Sequence, residues 1–484
     1  MLRLVLLLAC VACLGADRPP NVVLILVDDL GYGDLGCFGA KDIRTPQLDR
    51  LAAQGTRFTD FYVAQAVCTA SRAALLTGCY PNRVGMQGAL NHTSRFGLNP
   101  SEWTLPKMLK DRGYATACFG KWHLGTVPEL SAPRQGFDEF FGLPYSNDNS
   151  KYHPTLAAEM PPLPLLDGEK VAELDPDQSA FTARFTAKGL DFIERHKDHP
   201  FFLYLPHVMP HVPIFASAKF KGRSARGVYG DVVEELDDAI GTILAKLRDT
   251  GLEKDTLVLF FSDNGAWMSY GEHAGSNGPL REGKLTCFEG GVRSPLLVRW
   301  PGKVPAGRVS GTPFMSIDLL PTLVEAVGGK SPTLRIDGSS ALPLLRGIDD
   351  TPTHEALFFY AGEELHAVRA GRWKLHFDHP YLSNRGLPGR GGKPSGHGTY
   401  EPLPIADSSM DAIASRHGQK VSRQPQALFD LTTDPGETRD LSAQHPEIVR
   451  RLAALAEPVR ADLGDKLTGV AGGGRRPAGQ APAK

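Results

Sequence analysis

The stretch Asn21-Val-Val-Leu-Ile-Leu-Val27, followed directly by Asp28 and Asp29, decides the predicted fold of this chain. Its apolar residues run without a break and are rich in β-branched side chains. This is typical of a parallel strand that a sheet buries on both faces. Residues 201–205 and 256–261 show the same pattern. The sequence therefore predicts a sheet whose central strands are parallel.

Segments with helical spacing lie between these apolar runs. Three of them end at or near a glycine, the residue that most often follows a helix: residues 45–54, 104–112 and 231–249. Strands that alternate with helices predict an α/β fold, with a mostly parallel sheet flanked by helices on both faces.

The pattern changes from about His354. Short strand-like runs follow one another at residues 356–360, 366–369, 373–377 and 427–431, and a helical pattern covers residues 446–463. We therefore predict a smaller C-terminal antiparallel-sheet α+β subdomain. The predicted division is a main domain over residues 17–353, this subdomain over 354–465 and a disordered tail over 466–484, most clearly from Ala471.

The start of the chain has the pattern of a secretory signal over Met1–Ala16, with Arg3, an apolar core and small residues at the exit. We expect an exported protein, periplasmic or secreted, and lipoprotein anchoring through Cys10 or Cys13 is an alternative. No later apolar run is long enough to span a membrane. A net charge of −1 gives no argument for a nucleic-acid partner.

Five cysteines follow the predicted signal. An odd number in an exported chain leaves at least one thiol unpaired, and Cys68 is the candidate. It opens the run Cys68-Thr-Ala-Ser-Arg72, which has helical spacing. Positions 68 and 72 would lie one turn apart, beside the N-terminal N–H groups of that helix. This arrangement is suited to an anion.

Acidic and amide side chains follow two of the predicted strands. Asp28 and Asp29 end the first, and Asp263 and Asn264 end the strand at 256–261. Ligands collect at the carboxyl ends of strands in open α/β sheets. One such pair alone is more often a turn former. Two pairs together predict an all-oxygen cation site, which suits Ca²⁺ or Mg²⁺.

Other candidate side chains are basic. Lys121 and His123 flank Trp122, and in an extended segment they would face one site. His211 follows the strand at 201–205, where His207 competes for the same role, and Lys284 lies in a glycine-rich loop. Each of them taken alone is as well explained as an ordinary surface or structural residue.

Taken in order, these motifs resemble the type I sulfatase family. The matching segments are residues 21–34, 68–78, 113–125, 142–146, 262–265 and 283–295. Residues 371–377 and 428–437 look most like the branch that holds arylsulfatase A and N-acetylgalactosamine-6-sulfatase. The resemblance covers nearly the whole chain after the signal. One departure is Ala70, which stands where proline is commonest.

The resemblance implies an alkaline-phosphatase-like fold, with residues 17–353 as catalytic domain. It implies that a formylglycine-generating maturation enzyme oxidises Cys68 to an aldehyde. The hydrate of that aldehyde would attack sulfur, and its second hydroxyl would allow sulfate to be expelled. One Ca²⁺ would be held by Asp28, Asp29, Asp263, Asn264 and the matured residue 68.

The same resemblance assigns roles to the basic residues. Arg72, Lys121 and Lys284 would hold the sulfate oxygens. His123 would be the base for the elimination step, and His211, with Lys284, would protonate or stabilise the departing alcohol oxygen.

The substrate implied is a sulfated small molecule or glycan, and the branch favours a glycan. Ser146 would contact the sulfate, and residues 145–160 and 383–425 would form the pocket walls. One alternative is a phosphodiesterase or phosphonate monoester hydrolase on the same fold. Another is an unmatured, non-catalytic binder of sulfated glycans, because Ala70 alters the segment that the maturation enzyme reads. The sequence gives no oligomeric state.

Overall fold

The computed structural model describes residues 19–330, 332–384 and 388–482, so the predicted signal lies outside the described residues. The strands are β1 (Asn21–Val27), β2 (Thr56–Tyr62), β3 (Phe96–Gly97), β4 (Ala115–Lys121), β5 (Glu139–Leu143), β6 (Pro164–Asp167), β7 (Lys170–Leu174), β8 (Phe201–Pro206), β9 (Thr256–Ser262), β10 (Arg293–Arg299), β11 (Arg308–Ser310), β12 (Phe314–Met315), β13 (Leu357–Ala361), β14 (Glu364–Ala370), β15 (Trp373–His376), β16 (His379–Ser383), β17 (Lys420–Gln424), β18 (Ala427–Asp430) and β19 (Gly479–Gln480).

The helices are α1 (Pro46–Ala53), α2 (Cys68–Thr77), α3 (Leu105–Lys110), α4 (Phe181–Arg195), α5 (Gly227–Asp249), α6 (Glu289–Val292), α7 (Leu319–Ala326), α8 (Leu342–Leu345), α9 (Met410–His417) and α10 (Pro446–Leu463). The helices predicted from spacing correspond to α1, α2, α3, α5 and α10. Predicted ends differ from the observed ones by a few residues, because side-chain spacing does not fix the last turn.

The central sheet has the strand order β11-β2-β10-β9-β1-β8-β4-β5-β6-β7, with β12 beside β2. β1 pairs in parallel with both β8 and β9, and β4 pairs in parallel with β8 and β5. The antiparallel pairs involve β10 and the β5-β6-β7 edge. The prediction of a mostly parallel sheet is confirmed.

β1 shows why its sequence lacks alternation. Val22, Leu24 and Leu26 pack into a core with residues of α2, α3 and α7. Val23 and Ile25 pack into a second core on the opposite face, with residues of α1, α4 and α5. Both faces of the strand are therefore dry, and every position favours an apolar side chain.

The C-terminal region forms a separate antiparallel sheet in the order β13-β14-β15-β18, as predicted. A third core joins this sheet to α10 and to residues of β2 and β12. The segment 383–425 contains α9 and β17, and β17 pairs with β16. The described part of that segment therefore contributes secondary structure to the C-terminal region.

The disordered tail predicted over residues 466–484 is wrong for the part that the structure describes, up to residue 482. β19 pairs with β3, and the Arg476 guanidinium contacts Glu102 at 2.7 Å. The Gly- and Pro-rich composition of the tail suggested disorder. Its pairing partners lie far away in the sequence, so the composition alone could not reveal them.

The five cysteines of the described residues are free thiols: Cys37, Cys68, Cys79, Cys118 and Cys287. The sequence left open whether four of these cysteines form disulfide bonds, and the structure has no disulfide bond among them. Within the described ranges, no helix combines the length and the apolar character needed to cross a membrane.

Candidate active site

The site lies where β1 and β9 end side by side. Val27 is opposite Ser262 in their parallel register, so the residues that follow each strand meet. The Asp29 N–H donates to Asp263 Oδ1 at 3.3 Å, and Asn264 Nδ2 donates to Asp29 Oδ1 at 2.7 Å. Asp28, Asp29, Asp263 and Asn264 are all buried. The structure thus brings the two predicted pairs together.

Cys68 is the first residue of α2 and faces this carboxylate edge. Its Sγ lies 3.5 Å from Asp28 Oδ1 and 3.3 Å from Lys284 Nζ. Burial raises the pKa of the thiol to about 12, and the Asp28 charge adds to this effect. The unmodified side chain is therefore a neutral thiol, which is a weak nucleophile.

Arg72 lies one turn further along α2 and is fully buried. Its guanidinium donates to Asp263 Oδ2 at 2.8 Å, to Asp28 Oδ2 at 3.1 Å and to the Lys121 carbonyl at 2.7 Å. Its donors are thus directed at protein groups, and Arg72 does not line the pocket. The structure thus places the Arg72 guanidinium on the carboxylates, and its contact with sulfate stays a prediction.

Two lysines complete a group that we call the active-site charge cluster. Lys121 Nζ lies 2.5 Å from Asp28 Oδ2, and Lys284 Nζ lies 2.8 Å from Asp29 Oδ1. Three carboxylates therefore balance three cations: Asp28, Asp29 and Asp263 with Arg72, Lys121 and Lys284.

The carboxyl groups of this cluster differ in their pKa values. Burial works against ionisation of Asp28, but Lys121, His211, Arg72 and Lys284 outweigh it and hold its pKa well below the ordinary range. Burial raises the pKa of Asp29 and of Asp263 to about 6 each, against the opposing charges of Lys284 and Arg72. Crowded carboxylates of this kind favour a bound cation.

The donor set fits a calcium ion. Asn264 Oδ1 is buried and has no hydrogen-bond partner among the described residues, so an acceptor is left available at the site. Potential ligand atoms of Asp28, Asp29, Cys68 and His211 all lie within 4.8 Å of one another. Carboxylate and amide oxygens are hard ligands of the kind Ca²⁺ prefers.

His123 reaches the pocket by a route that the sequence did not predict. β4 ends at Lys121, and His123 has a left-handed backbone with φ of 58°. The extended geometry assumed for residues 121–123 is therefore wrong. His123 Nε2 lies 2.7 Å from the Leu90 carbonyl, which places the proton there, and Nδ1 is left without a partner among the described residues. Burial, assisted by the Lys121 charge, holds the pKa of His123 well below its ordinary value.

Of the two histidines that competed for one role, His211 lines the pocket, whereas His207 packs in the core near Phe185. His211 Nε2 lies 3.7 Å from Asp29 Oδ2, and Nδ1 contacts the Val212 carbonyl at 2.5 Å. Burial lowers the pKa of His211 to about 3, and Lys284 adds to this effect. The imidazole is thus neutral, with its proton on Nδ1.

These side chains surround a pocket of about 160 Å³. Part of its wall comes from the two loops expected from the sequence, and residues 88–91 form another part. The loop at 145–160 brings Ser146, whose Oγ lies 3.1 Å from Lys121 Nζ. The remaining wall residues from these loops are Asp148, Asn149, Ile405, Ser408, Ile413, Arg416 and His417.

Sequence reasoning did not single out Trp267, His417 or residues 88–91, which also line the pocket. Trp267 follows Asn264 by three residues, and its ring lies 4.2 Å from Lys284 Nζ, a distance at which it holds the ammonium by a cation–π contact. Its place just beyond a strand end was the available signal. His417 belongs to α9, within the predicted wall segment 383–425, and its ring packs at a tilt against Trp267 with centroids 4.2 Å apart.

The geometry can be compared with known proteins. The family model named Sulfatase matches residues 20–329, and the C-terminal region of aryl-sulfatase matches residues 352–472. Human arylsulfatase A is 40% identical over 93% of this chain and 89% of its own length. Human N-acetylgalactosamine-6-sulfatase is 42% identical over 92% of this chain and 86% of its own length.

Solved structures of other proteins have the same fold. A Bacteroides thetaiotaomicron protein from work on the metabolism of multiple glycosaminoglycans has a TM-score of 0.74 at 29% identity, covering 92% of this chain and 99% of its own. A phosphonate monoester hydrolase from Silicibacter pomeroyi has a TM-score of 0.61 at 19% identity, over 91% of this chain and 95% of its own, which shows the shared fold alone. With the family model covering most of the sequence, this chain belongs to the sulfatase family and is a sulfatase, an enzyme that hydrolyses sulfate esters.

Proposed function

We propose that this sulfatase is an exported enzyme that removes sulfate from carbohydrates, using a formylglycine derived from Cys68 and one Ca²⁺. The observation that carries the proposal is the position of Cys68 Sγ, 3.5 Å from a carboxylate that fits a calcium site and 3.3 Å from Lys284 Nζ. A thiol with a raised pKa would do little there, whereas an aldehyde hydrate would gain from both neighbours.

Asp28, Asp29, Asp263 and Asn264 would hold the calcium ion, beside residue 68. When bound, the ion supplies fixed positive charge for the sulfate oxygens and for the oxygen of the nucleophile. The protein alone has equal numbers of positive and negative charges in the active-site charge cluster. A divalent cation therefore leaves a net positive site, which favours an anionic ester.

The matured residue would supply one hydroxyl that attacks sulfur and displaces the alcohol. Deprotonation of its second hydroxyl would then break the bond from carbon to the sulfate oxygen, release sulfate and regenerate the aldehyde. Lys121 and Lys284 are the cations of this chain that reach the nucleophile edge, and Ser146 extends the contact of Lys121 toward the pocket. Arg72 fixes Asp28 and Asp263, so that the carboxylates keep their geometry as charge develops.

The two histidines divide the proton transfers. His123 has its proton on Nε2 and a free lone pair on Nδ1, which fits a base for the elimination step. His211 has its proton on Nδ1, so donation from Nε2 requires the imidazolium form. The bound anionic ester favours that form. Burial opposes the charge of Lys284, but Asp29 and Asp28 raise its pKa and keep it protonated, so its ammonium stabilises the departing oxygen.

The names of the relatives support a carbohydrate substrate. One relative is an N-acetylgalactosamine-6-sulfatase, and one solved structure of a related protein holds a neocarrahexaose. Export rests on the predicted signal over residues 1–16.

The test begins with the intact mass of the peptide that carries residue 68, purified from the native host. Conversion to formylglycine makes it ~18 Da lighter. Matured protein should release sulfate from 4-nitrophenyl sulfate and from sulfated glycans, and EDTA should suppress the release until Ca²⁺ is restored. Full activity with an unshifted mass would refute the formylglycine, and activity insensitive to chelation would refute the metal. Faster turnover of a phosphonate monoester than of any sulfate would overturn the assigned reaction.

A further inference from the structure

Trp267 contacts both of the groups that the proposed mechanism places at the departing oxygen, and that mechanism makes no use of it. The residue lines the active-site pocket and is 6% exposed. Its ring lies 4.2 Å from Lys284 Nζ, and the ring of His211 meets it in a T-shaped arrangement with centroids 5.6 Å apart. One side chain therefore reaches Lys284 and His211 at once.

Neighbouring groups fix the orientation of this indole. The ring of His417 packs against it with centroids 4.2 Å apart, and Tyr270 meets it in a T-shaped arrangement at 5.2 Å. The Tyr270 hydroxyl lies 2.8 Å from His417 Nδ1, so these two rings also hold each other. The Lys284 N–H donates to the Ala266 carbonyl at 3.1 Å, which ties the main chain of Lys284 to the residue before Trp267. The indole and the lysine are thus held in one arrangement.

The indole N–H indicates that this side chain does more than fill space. Trp267 Nε1 is buried and has no hydrogen-bond partner among the residues that the structure describes. A buried donor without a partner costs free energy, and a phenyl ring would avoid that cost. An indole, however, attracts a cation more strongly through its π face than a phenyl ring does. The contact with the Lys284 ammonium therefore accounts for a tryptophan at this position.

The π face holds the ammonium without neutralising it. Lys284 Nζ already contacts Asp29 Oδ1 at 2.8 Å and Cys68 Sγ at 3.3 Å. A further carboxylate would compensate the charge of the ammonium, whereas an uncharged ring attracts the ammonium and leaves it its positive charge. The departing oxygen needs that charge, because negative charge develops on it as its bond to sulfur breaks.

We propose that Trp267 is a positioning residue that directs Lys284 and His211 at the departing alcohol oxygen. The inference rests on the proposed function, since that function assigns both residues to this oxygen. In this role Trp267 acts through its two neighbours. Its loss therefore matters most for a poor leaving group, which depends on stabilisation by the protein, and least for a good leaving group.

The test compares two aryl sulfates: 4-nitrophenyl sulfate, which has a good leaving group, and phenyl sulfate, which has a poor one. The ratio of their kcat/KM values reports the step in which the alcohol departs, and it does not depend on the fraction of matured protein. In Trp267→Leu, we expect the ratio of 4-nitrophenyl sulfate to phenyl sulfate to rise about tenfold. Trp267→Phe keeps an aromatic face and should give a smaller rise.

Trp300→Leu is the matched control. Trp300 is 5% exposed, its ring lies 5.5 Å from the Arg346 guanidinium, and it lines a different cavity, with Pro20 and Lys254. Its replacement should leave the ratio unchanged, and a similar rise there would overturn the inference. An equal loss on both substrates in Trp267→Leu would overturn it too, because the indole would then serve packing alone.

Thermal unfolding shows which variants fold. If Trp267→Leu does not fold, Trp267→Phe decides alone, and an unchanged ratio in that variant would overturn the inference. The two proposals fail separately. Full activity with an unshifted mass of the peptide that carries residue 68 would refute the proposed function. Normal maturation of residue 68 with an unchanged ratio would refute the role of Trp267 alone.

Discussion

Two buried groups of charges in this protein have the same balance and different surroundings. The active-site charge cluster joins three carboxylates to three cations beside the pocket. A second group does the same where the C-terminal sheet packs on the central sheet. We call it the interdomain charge cluster, and its members are Asp60, Glu289, Glu437, Arg293, Arg369 and Lys374.

The interdomain charge cluster is closed. Lys374 Nζ lies 2.8 Å from Glu289 and 3.0 Å from Glu437. The remaining oxygen of Glu289 accepts from Tyr62 at 2.6 Å, and the remaining oxygen of Glu437 accepts from the Glu289 N–H at 2.7 Å. Across the described residues, none of its side-chain atoms is buried without a partner. The active-site charge cluster differs because Asn264 Oδ1 beside it lacks a partner and a pocket opens there. An unpaired acceptor thus distinguishes a binding site from a structural ion group better than charge does.

The largest expected effect is a loss of sulfate release, and it tests the active-site charge cluster. Cys68→Ala removes the residue that we propose as precursor of the nucleophile, so sulfate release should fall by roughly 10⁴-fold or more. Ion chromatography of sulfate gives the rate, and thermal unfolding should show a folded protein. Cys118→Ala is the matched control, since Cys118 is also a buried thiol but lies within β4. Comparable loss in both variants would contradict a special role for Cys68.

Lys374→Ala tests the interdomain charge cluster. It leaves Glu289 and Glu437 buried without their shared cation, so the free energy of unfolding should fall by about 3–5 kcal/mol. Urea denaturation measures this loss, and turnover per folded molecule should be unchanged. Lys303→Ala, at an exposed lysine, is the control. A loss of turnover at full stability would mean that the interdomain charge cluster serves the reaction.

Lys284→Ala makes the equivalent change in the active-site charge cluster. Turnover should drop by about 10²-fold, because a donor for the developing negative charge is removed. With Ca²⁺ present, the loss of stability should be smaller than for Lys374→Ala, since the metal compensates Asp29. Steady-state kinetics and urea denaturation in calcium buffer measure both quantities. An unchanged turnover would remove Lys284 from the site.

The smallest expected effect concerns pH. Burial raises the pKa of Glu437 to about 7, although Lys374 opposes it. The stabilisation from this group is complete below the ordinary pKa of about 4.5 and is lost as pH rises through 7. Glu437→Gln does not titrate. The stability of wild type relative to the variant should therefore fall by about 2 kcal/mol between pH 5 and 7.5. Urea denaturation at both values checks this, and a pH-independent difference would count against the raised pKa.

The elements that the sequence predicted well are those whose burial follows from one short stretch. β1 lies between two dry helical layers, so its composition alone was decisive. The meeting of the two acidic pairs also followed, because parallel strands end at one edge of the sheet, which places Asp28 and Asp263 close together.

The sequence did not reveal contacts that depend on a distant partner. It did not show that Arg72 donates to Asp28 and Asp263, which lie far from it in the chain. His123 required a left-handed backbone that local spacing does not reveal. The motifs around Lys374 and Glu437 resembled family signatures, and only the fold showed that they meet Glu289 in the interdomain charge cluster.

The pairing of β19 with β3 has a mechanical consequence. The C-terminal subdomain leaves the catalytic domain after α8 and returns to it through the tail, where Arg476 holds Glu102. A subdomain that contacts the other domain at both ends of its chain cannot rotate about a single hinge. The walls that residues 383–425 contribute are thus held in place over the pocket. The geometry favours a pocket whose walls keep one shape, in contrast to a pocket that closes on its ligand.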